Sequence, residues 1–312
     1  MIALEEFEAM SPSIDAAPES PVVLKVEGVT KSFSGVPALR NGCLELRRGS
    51  VHALCGGNGA GKSTFLNILM GILPPDGGSI RIDGKEVVFD SPKAALDAGI
   101  SIITQELSPI RGMSVAENLY LGREPRRLGC IVDHRQLNRQ AKAVLDQLGF
   151  RIDPKALMGS LSLAETQLVE IAKVFTRDSR IIIMDEPTSA IGQHETELLF
   201  KAIRRITEMG TAIIYVTHRM TEIFELADTY SVFRDGAFIE SGLIADIDRR
   251  HLIRQIIGRE VHGPAAEIVA TRDGHVVLSA YAEDHWKRLC RIVGSEAPGA
   301  EPRFGTNALR RE

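Results

Sequence analysis

A glycine-rich stretch, GGNGAGKST at positions 56–64, constrains the fold of this chain more than any other feature. It matches the phosphate-binding pattern G-x-x-x-x-G-K-[ST], in which backbone N–H groups surround phosphate oxygens. Residues 50–55 before it are mostly apolar and have the length of a buried strand, and residues 65–70 after it have helical apolar spacing that ends at Gly71. The sequence therefore predicts a strand, a phosphate-binding loop and a helix in succession.

Each part of this loop predicts a contact with nucleotide phosphates. Its glycines let the backbone pass close to an anion without Cβ collisions, and the helix N-terminus adds about half a positive charge. Lys62 can reach the β- and γ-phosphates, and the Ser63 hydroxyl can bind Mg²⁺. A chance glycine-rich turn is the alternative, but it leaves the flanking strand and helix unexplained. The predicted nucleotide-binding residues are Gly56, Gly57, Asn58, Gly59, Ala60, Gly61, Lys62, Ser63 and Thr64.

The composition is that of an ordinary soluble globular protein and excludes some classes of partner. Of the 312 residues, 44% are hydrophobic and 25% are charged, which suits one large domain or two modest ones. The net charge of −4 gives no general attraction to nucleic acid, and the aromatic content of 5% does not favour a base-stacking surface.

The cysteines and the apolar runs predict a cytoplasmic protein. The four cysteines (Cys43, Cys55, Cys130 and Cys290) have neither paired nor metal-binding spacing, which favours a reducing compartment. No apolar run approaches the roughly 20 residues of a membrane span. The N-terminus is acidic where a secretory signal would be basic. We therefore expect any work at a membrane to depend on a partner.

Strands alternate with helices through most of the chain. Residues 180–186 and 211–216 are continuous apolar runs, which are typical of strands covered on both faces. Helices are predicted at 195–209 and 219–226, and this alternation predicts an α/β fold with a mostly parallel sheet. Further strands are predicted at 22–27 and 100–104, at 43–46 and 79–84, where polarity alternates, and at 230–233 and 237–239, which bracket a turn.

Three segments are predicted along the chain. Residues 1–20 are acidic, small or proline, which is typical of a flexible extension. Residues 21–261 form the main domain, and between about 114 and 175 the pattern is helical with no convincing strand, which predicts a helical insertion. Residues 262–312 have weaker patterns, with a strand at 275–279, a helix at 282–293 and no structure after 298.

Polar side chains follow three of the predicted strands. Asp185 and Glu186 close one apolar run, and Gln105 and His218 follow two others. The carboxyl ends of parallel strands share one edge of the sheet, where ligands bind. Asp185 can hold Mg²⁺, and Glu186 can position or deprotonate an attacking water; an exposed acidic pair is the alternative. Alone, Gln105 and His218 carry little information, because such residues are commonly solvated or hydrogen-bonded locally.

Phe33 has two interpretations from the residues alone. It lies in a turn predicted at 31–35, among small and polar neighbours. Its ring either packs back on the sheet or provides a platform on which a purine stacks.

In this order, the motifs resemble those of ABC transporter ATP-binding subunits. Gly56 to Thr64 resembles the Walker A loop, and residues 182–186 resemble Walker B with its following glutamate. Gln105 resembles the Q-loop glutamine, which in that family contacts Mg²⁺ and faces the membrane partner. His218 resembles the switch histidine.

The remaining motifs of that family also find counterparts. Residues 161–165 lie where the LSGGQ signature belongs, and residues 189–192 occupy the place of the D-loop. Phe33 falls at the aromatic A-loop position, so the resemblance favours purine stacking. It also implies that Ser162 acts on the ATP of a partner domain.

Finer details are similar to the ribose/xylose/galactose branch of importers over about residues 22–261. The stretches that carry this similarity are 105–107, 116–124, 169–173, 217–220 and 232–236. Residues 256–261 resemble the linker that ends the first of two domains in that branch, and 273–280 resemble a vestige of the second.

The signature and the D-loop depart from the family pattern. The signature reads Ser-Leu-Ala-Glu, so Glu165 adds negative charge near phosphates unless it points away. Gly192 replaces the usual polar residue of the D-loop, at a position that the resemblance links to communication between two ATP sites.

The resemblance implies a P-loop NTPase of the ABC ATPase fold, with a mostly parallel core sheet, an antiparallel β subdomain and the helical insertion. It implies ATP and Mg²⁺ as cofactors, catalytic roles for Lys62, Gln105, Glu186 and His218, and metal binding by Ser63, Gln105 and Asp185. It also implies a peripheral position on the cytoplasmic face of the membrane, with permease subunits, a sugar-binding protein and a second nucleotide-binding domain as partners. The alternatives are a truncated nucleotide-binding protein with little transport activity and a soluble ABC ATPase; the latter is disfavoured because long heptads and a basic arm are lacking.

Overall fold

Two long strands open the part of the chain that the structure describes, which in this computed structural model comprises residues 20–104, 109–127, 131–177, 179–189, 191–258, 266–271 and 274–279. The strands β1 (Val22–Phe33) and β2 (Val36–Arg47) pair antiparallel. Both are longer than the sequence predicts, because the turn takes only Ser34 and Gly35, which have φ angles of 49° and 82°. The turn is therefore shorter than the one predicted at residues 31–35.

The predicted strand–loop–helix unit follows. It consists of β3 (Val51–Cys55), the loop, and α1 (Lys62–Leu69), after which Gly71 adopts a φ of 66° as a C′ residue does. All five residues of β3 are buried. Burial also raises the pKa of the Cys55 thiol to about 12, so this cysteine behaves as a small apolar side chain.

Short elements lead from this unit to the next parallel strand: β4 (Gly77–Ile82), β5 (Lys85–Glu86), α2 (Pro92–Asp97) and β6 (Ile100–Ile103). The Ser91 side chain caps α2 by accepting from the Ala94 N–H at 3.3 Å, and Gly99 follows the helix with a φ of 87°. A serine cap and this glycine therefore bound the short helix.

The insertion contains α3 (Val115–Leu119), α4 (His134–Leu148), a 3₁₀ turn (Met158–Ser160) and α5 (Leu163–Phe175). It also contains β7 (Arg126–Arg127), which pairs antiparallel with β8 (Ile131–Val132). The sequence predicts no strand here, because two-residue strands are too short to show a period. The helices pack through buried apolar residues that include Leu119, Leu137, Leu145 and Ile171.

The alternation of strands and helices then resumes. The elements are β9 (Ile181–Asp185), α6 (Gln193–Glu208), β10 (Ala212–Val216), α7 (Met220–Leu226), β11 (Thr229–Arg234), β12 (Ala237–Leu243), a 3₁₀ turn (Ile244–Asp246) and α8 (Arg249–Ile257). Every residue of β10 and the first four of β9 are buried, as the continuous apolar runs predict.

These strands form a ten-stranded sheet in the order β5-β4-β1-β2-β12-β11-β3-β10-β9-β6. The half from β11 to β6 is parallel, and the half from β5 to β2 is antiparallel. The strand β12 pairs antiparallel with β11 and meets β2 at one residue pair, Ala237 with Asn41. This architecture confirms the predicted α/β fold, with its parallel core, antiparallel β part and helical insertion.

The chain divides into two units, Met1–Ile256 and Ile257–Glu312. In the second unit, β13 (Ala266–Thr271) pairs antiparallel with β14 (Gly274–Ser279). The strand predicted at 275–279 is confirmed, and its partner was not predicted because its sequence lacks clear periodicity. The predicted extension, the helix at 282–293 and the end of the chain lie outside the described residues, except for Ser20.

Candidate functional site

Three glycines of the loop (Gly56, Gly59 and Gly61) have φ angles that other residues reach only with strain, and at Gly56 and Gly61 a Cβ would also collide with backbone. Gly56 has a φ of 156°, and a Cβ there would lie 2.4 Å from the Phe233 carbonyl oxygen. Gly61 has a φ of 95° at the N-cap of α1, and a Cβ there would lie 2.9 Å from the Ala38 carbonyl oxygen. Glycine at these positions lets the chain turn sharply, so that α1 begins directly at Lys62.

A cleft of about 640 Å³ brings the loop together with both carboxylates that end β9. Its lining residues are Pro37, Ala38, Gly57, Asn58, Gly59, Ala60, Gly61, Lys62, Ser63, Thr64, Asp185, Glu186, Asp235 and Gly236. The strand β3 leads into the loop and β9 ends at Asp185, and only β10 lies between these two strands in the sheet.

Lys62 is held over the loop by backbone acceptors. Its Nζ donates to the carbonyl oxygens of Gly56 at 2.6 Å and Gly57 at 3.0 Å. Burial lowers the pKa of the Lys62 ammonium, while the negative charges of Glu186 and Asp185 act in the opposite direction. An ammonium group carries three donors, so these two bonds are compatible with a further bond to an anion in the cleft.

Asp185 ends β9 with its carboxylate half-buried in the cleft. Burial and the neighbouring charge of Glu186 raise the pKa of Asp185, and the Lys62 ammonium opposes this rise. Two adjacent carboxylates in a partly desolvated position repel each other, so the site favours a cation beside Asp185.

Glu186 turns out of the strand direction toward His218. Its φ is 47°, in the left-handed region that non-glycine residues rarely occupy, and its N–H donates to the Val216 carbonyl oxygen at 2.9 Å. Its Oε1 lies 3.1 Å from His218 Nδ1. His218 contacts the site through Glu186 and is not itself among the lining residues of the cleft. A strained backbone that places a carboxylate against an imidazole at the mouth of a cleft is typical of a functional site.

The structure places Ser162 away from this cleft, at the N-cap of α5. Its hydroxyl accepts from the Glu165 N–H at 3.2 Å, and the Glu165 carboxylate accepts from the Ser162 N–H at 2.8 Å and from its hydroxyl at 2.9 Å. This is a capping box, which satisfies the first N–H groups of the helix. Glu165 therefore points back at Ser162.

Gly192 begins α6 without a side-chain cap. A Cβ there would lie 2.8 Å from the Glu195 Oε2 atom, so the glutamate approaches closely where other residues would carry a side chain. The Gly192 carbonyl oxygen accepts from the Thr196 N–H at 3.0 Å, which is the first hydrogen bond of the helix.

Phe33 is 45% exposed at the end of β1 and is not among the lining residues of the cleft. Lys31 Nζ lies 6.0 Å from the centre of its ring. The ring is thus not packed into the core of the sheet, and purine stacking stays a prediction. The predicted Q-loop residue, Gln105, lies outside the described residues.

Sequence reasoning missed part of the cleft wall. Asp235 and Gly236, in the turn between β11 and β12, line the cleft together with Pro37 and Ala38. The Gly236 N–H donates to the Ala60 carbonyl oxygen at 3.2 Å, which ties this turn to the loop. The Asp-Gly pair signals a turn in sequence, but only the sheet order shows that this turn reaches the loop.

The residues present fit a magnesium ion. Mg²⁺ prefers oxygen ligands and is commonly held by one or two carboxylates together with substrate phosphates and water. The Ser63 hydroxyl and the Asp185 carboxylate supply such oxygens in one cleft, where the half-buried Asp185 lies beside the charge of Glu186.

Two family models match the chain. The model described as "ABC transporter" matches residues 39–189, which include the loop, the signature position and the Walker B carboxylates. A model described as "CoA-transferase family III" matches residues 231–312. The first part of that second match, as far as Gly258, coincides with β12, α8 and most of β11.

Curated relatives named as ribose/galactose/methyl galactoside import ATP-binding proteins match most of the chain. One from Burkholderia cenocepacia is 46% identical over 273 residues, which are 87% of this chain and 52% of the relative. One from Halalkalibacterium halodurans is 49% identical over 242 residues, which are 77% of this chain and 46% of the relative. The chain spans about half the length of these relatives.

Solved ATP-binding cassettes share the fold. A cassette of an ABC transporter aligns with a TM-score of 0.68 at 24% identity, over 76% of this chain and 98% of that one. The protein cbiO1 from Clostridium perfringens, part of the ABC transporter complex cbiONQ, aligns with a TM-score of 0.64 at 26% identity, over 77% and 96%. Another cassette, solved as a dimer bound to ADP and phosphate, aligns with a TM-score of 0.60 at 21% identity, over 71% and 98%.

The family model, the names of the relatives and the fold all point to ABC transporter ATP-binding cassettes. Among the described residues, no helix has both the length and the apolar character needed to cross a membrane. Residues 39–189 of this chain therefore belong to a nucleotide-binding domain of the ABC transporter family.

Proposed function

We propose that this domain hydrolyses ATP and thereby energises the import of a sugar through separate membrane subunits. The observation that carries the proposal is the cleft shared by the loop, Asp185 and Glu186, with His218 at 3.1 Å from Glu186. Phosphoryl transfer to water requires neutralised phosphates and a positioned water, and this cleft supplies groups for both.

The phosphates of ATP would lie along the loop. Its backbone N–H groups and the N-terminus of α1 face the anion, and Lys62 adds a full positive charge. Gly56 and Gly61 allow this approach because a Cβ at either would collide with backbone. Phe33 would stack on the adenine, since its ring is exposed at the end of β1.

Glu186 would polarise the attacking water, and His218 would hold Glu186 and the γ-phosphate in register. The carboxylate of Glu186 accepts a proton from water only while it is ionised and correctly oriented. Its contact with His218 and the bond from its own N–H to Val216 supply the orientation.

Mg²⁺ would be held by Ser63 and Asp185, with Gln105 as a further predicted contact. A bound Mg²⁺ would neutralise charge that develops on the phosphate oxygens. The position of Asp185 fits this role, because a cation there would offset both the burial and the repulsion from Glu186 that raise the pKa of Asp185.

Ser162 would act on the ATP held by a second nucleotide-binding domain. It lies outside the cleft of its own domain, at the N-terminus of the 13-residue helix α5, where a helix favours an anion. The dimeric cassette bound to ADP and phosphate has the same fold. A single copy should therefore hydrolyse ATP slowly.

The sugar and the membrane position rest on the relatives. Proteins that match up to 90% of this chain are named as ribose/galactose/methyl galactoside import ATP-binding proteins. We infer permease subunits and a sugar-binding protein as partners, and a peripheral position on the cytoplasmic face of the membrane.

Substitution of Glu186 tests the hydrolytic role. E186Q should lower the rate of ATP hydrolysis by the full chain by about 10²–10⁴-fold, because a general base contributes that much. Binding of a fluorescent ATP analogue should persist, since the loop is unchanged. Normal hydrolysis by E186Q would refute the role assigned to Glu186.

Reconstitution tests the transport role. Vesicles that contain permease subunits of a ribose/galactose importer, with the purified chain and ATP, should accumulate labelled sugar, and ATP hydrolysis should rise when the permease is added. Hydrolysis that the permease leaves unchanged, with no uptake, would contradict the import function and leave the ATPase assignment intact.

A further inference from the structure

A buried carboxylate lies behind the Glu186–His218 pair. Glu222, on α7, is 4% exposed, and its carboxylate accepts four hydrogen bonds from side chains. The donors are Thr188 Oγ1 at 2.7 Å and Arg219 Nη1 at 3.3 Å to Oε1, and Tyr215 Oη at 3.0 Å and Thr217 Oγ1 at 2.9 Å to Oε2. A buried charge costs free energy unless it is paired and hydrogen-bonded, and this one is both.

The hydroxyl groups of this network act as hydrogen-bond donors to Glu222. Burial and the negative charge of Glu222 raise the pKa of Tyr215 well above its usual value, so the phenol stays protonated. The Thr188 hydroxyl is buried with its residue only 1% exposed, and its bond to Glu222 points it away from solvent. Thr217 donates to Glu222 while its oxygen accepts from the Arg219 N–H at 3.1 Å.

The network connects the two loops that carry the proposed reacting groups. Thr188 lies two residues after Glu186, and Thr217 directly precedes His218. His218 has a side chain that is 67% exposed, so side-chain packing constrains its position only weakly. The separation between His218 and Glu186 therefore depends on how their two loops are held, and Glu222 bonds to both.

We propose that Glu222 is a positioning residue, which holds the Glu186 and His218 loops in the register required for hydrolysis. This inference rests on the proposed ATPase function. Glu222 touches neither the cleft nor, by this proposal, the nucleotide, and it acts only through Thr188 and Thr217.

Kinetics of the full chain separate positioning from general stability. E222Q keeps the shape of the side chain but removes the charge and presents an amide NH₂ to hydroxyl donors. It should lower kcat by about tenfold or more and leave the KM for ATP within about threefold, because misplaced reacting groups slow the chemical step while the loop stays intact. E225Q, on the exposed face of the same helix, is the matched control and should change neither value.

A milder variant guards against loss of folding in E222Q. Thr188→Val has nearly the same shape and removes one donor, so it should lower kcat by about threefold or more with an unchanged KM. If E222Q and Thr188→Val lower the melting temperature but keep the kcat of the folded protein, Glu222 is merely structural and the proposal is wrong.

A double-mutant cycle tests the route of action. Because Glu222 acts largely through Glu186 by this proposal, E222Q should lower the rate much less in an E186Q background than in the wild type, since one of the groups that it positions is already disabled. A loss that multiplies with that of E186Q would overturn the proposal.

An NMR signal tests the same proposal without hydrolysis. The imidazole Hε1 resonance of His218, assigned by its loss in His218→Ala, should shift in E186Q and also in E222Q, but not in E225Q. An unchanged resonance in E222Q overturns the positioning role, whereas absence of hydrolysis by the wild-type chain, even with permease, refutes only the proposed function.

Discussion

Acid should destabilise this domain through one buried histidine, His52 in β3. The residue is 1% exposed, and its ring nitrogens lie 2.8 Å from Thr229 Oγ1 and 2.9 Å from Ser231 Oγ. A neutral imidazole satisfies both hydroxyls, since one nitrogen donates and the other accepts. Burial lowers the pKa of His52 from 6.5 to about 3, because the charged form would lose its hydration.

The size of this effect follows from proton linkage. The unfolded chain binds the proton of His52 more tightly than the folded chain, so the free energy of unfolding is highest above the unfolded pKa of 6.5 and falls as the pH drops toward 3. Lowering the pH from about 8 to about 5 should remove about 2 kcal/mol through this residue alone.

Urea unfolding, followed by far-UV circular dichroism at several pH values between these limits, measures this contribution. His52→Gln removes the titrating group. Over the same pH range, the free energy of unfolding of this variant should therefore fall by about 2 kcal/mol less than that of the wild type. His194→Gln, at an exposed position, is the control and should follow the wild-type curve. Parallel pH dependences of the wild type and His52→Gln would refute the burial argument.

Two substitutions near the cleft carry further predictions. Gly56→Ala forces a Cβ to within 2.4 Å of a backbone oxygen, so the free energy of unfolding should fall by about 1–3 kcal/mol and the affinity for ATP should fall as well. Gly57→Ala is the control for this urea titration, because its Cβ would meet nothing within 4 Å, and it should keep the stability of the wild type. Phe33→Ala should weaken binding of ATP by about 1–3 kcal/mol if the ring stacks on adenine, and Phe33→Tyr should restore it in an equilibrium titration. Equal affinity in Phe33→Ala and wild type would contradict the stacking.

The parts of the fold that sequence predicted well are those with a strong local signal. The runs at 180–186 and 211–216 are apolar without interruption at 181–184 and at 212–216, and these stretches are the buried residues of β9 and β10. The loop at 56–64 is recognisable because its glycines by themselves favour a turn. The two carboxylates of the site were predicted for the same reason, because Asp185 ends β9 and Glu186 directly follows it.

The parts that sequence missed depend on pairing between distant segments. The strands β1 and β2 extend through polar residues that look like a loop, because each residue pairs with a partner across a two-residue turn. The Asp235–Gly236 turn lines the cleft only because β11 is placed beside β3 in the sheet. No local pattern shows such a neighbour.

Glu222 illustrates the same limit at a single residue. A glutamate on a short helix is usually solvated, and its position four residues after His218 gives no reason to expect burial. Its environment comes from β10, through Tyr215, and from the loop after β9, through Thr188. Only the folded chain brings these donors together.

The altered signature has a physical explanation in the start of α5. Glutamate and glutamine both complete a capping box at the third helical position, so Glu165 preserves the helix start that Ser162 begins. The two residues differ in charge, and the carboxylate of Glu165 draws the hydroxyl proton of Ser162 toward itself at 2.9 Å. A serine hydroxyl has one proton to donate. In the role proposed above, Ser162 would have to give up its bond to Glu165 before donating to a phosphate of a partner domain, and the acceptor that it leaves is a charged carboxylate where a glutamine would present a neutral amide oxygen.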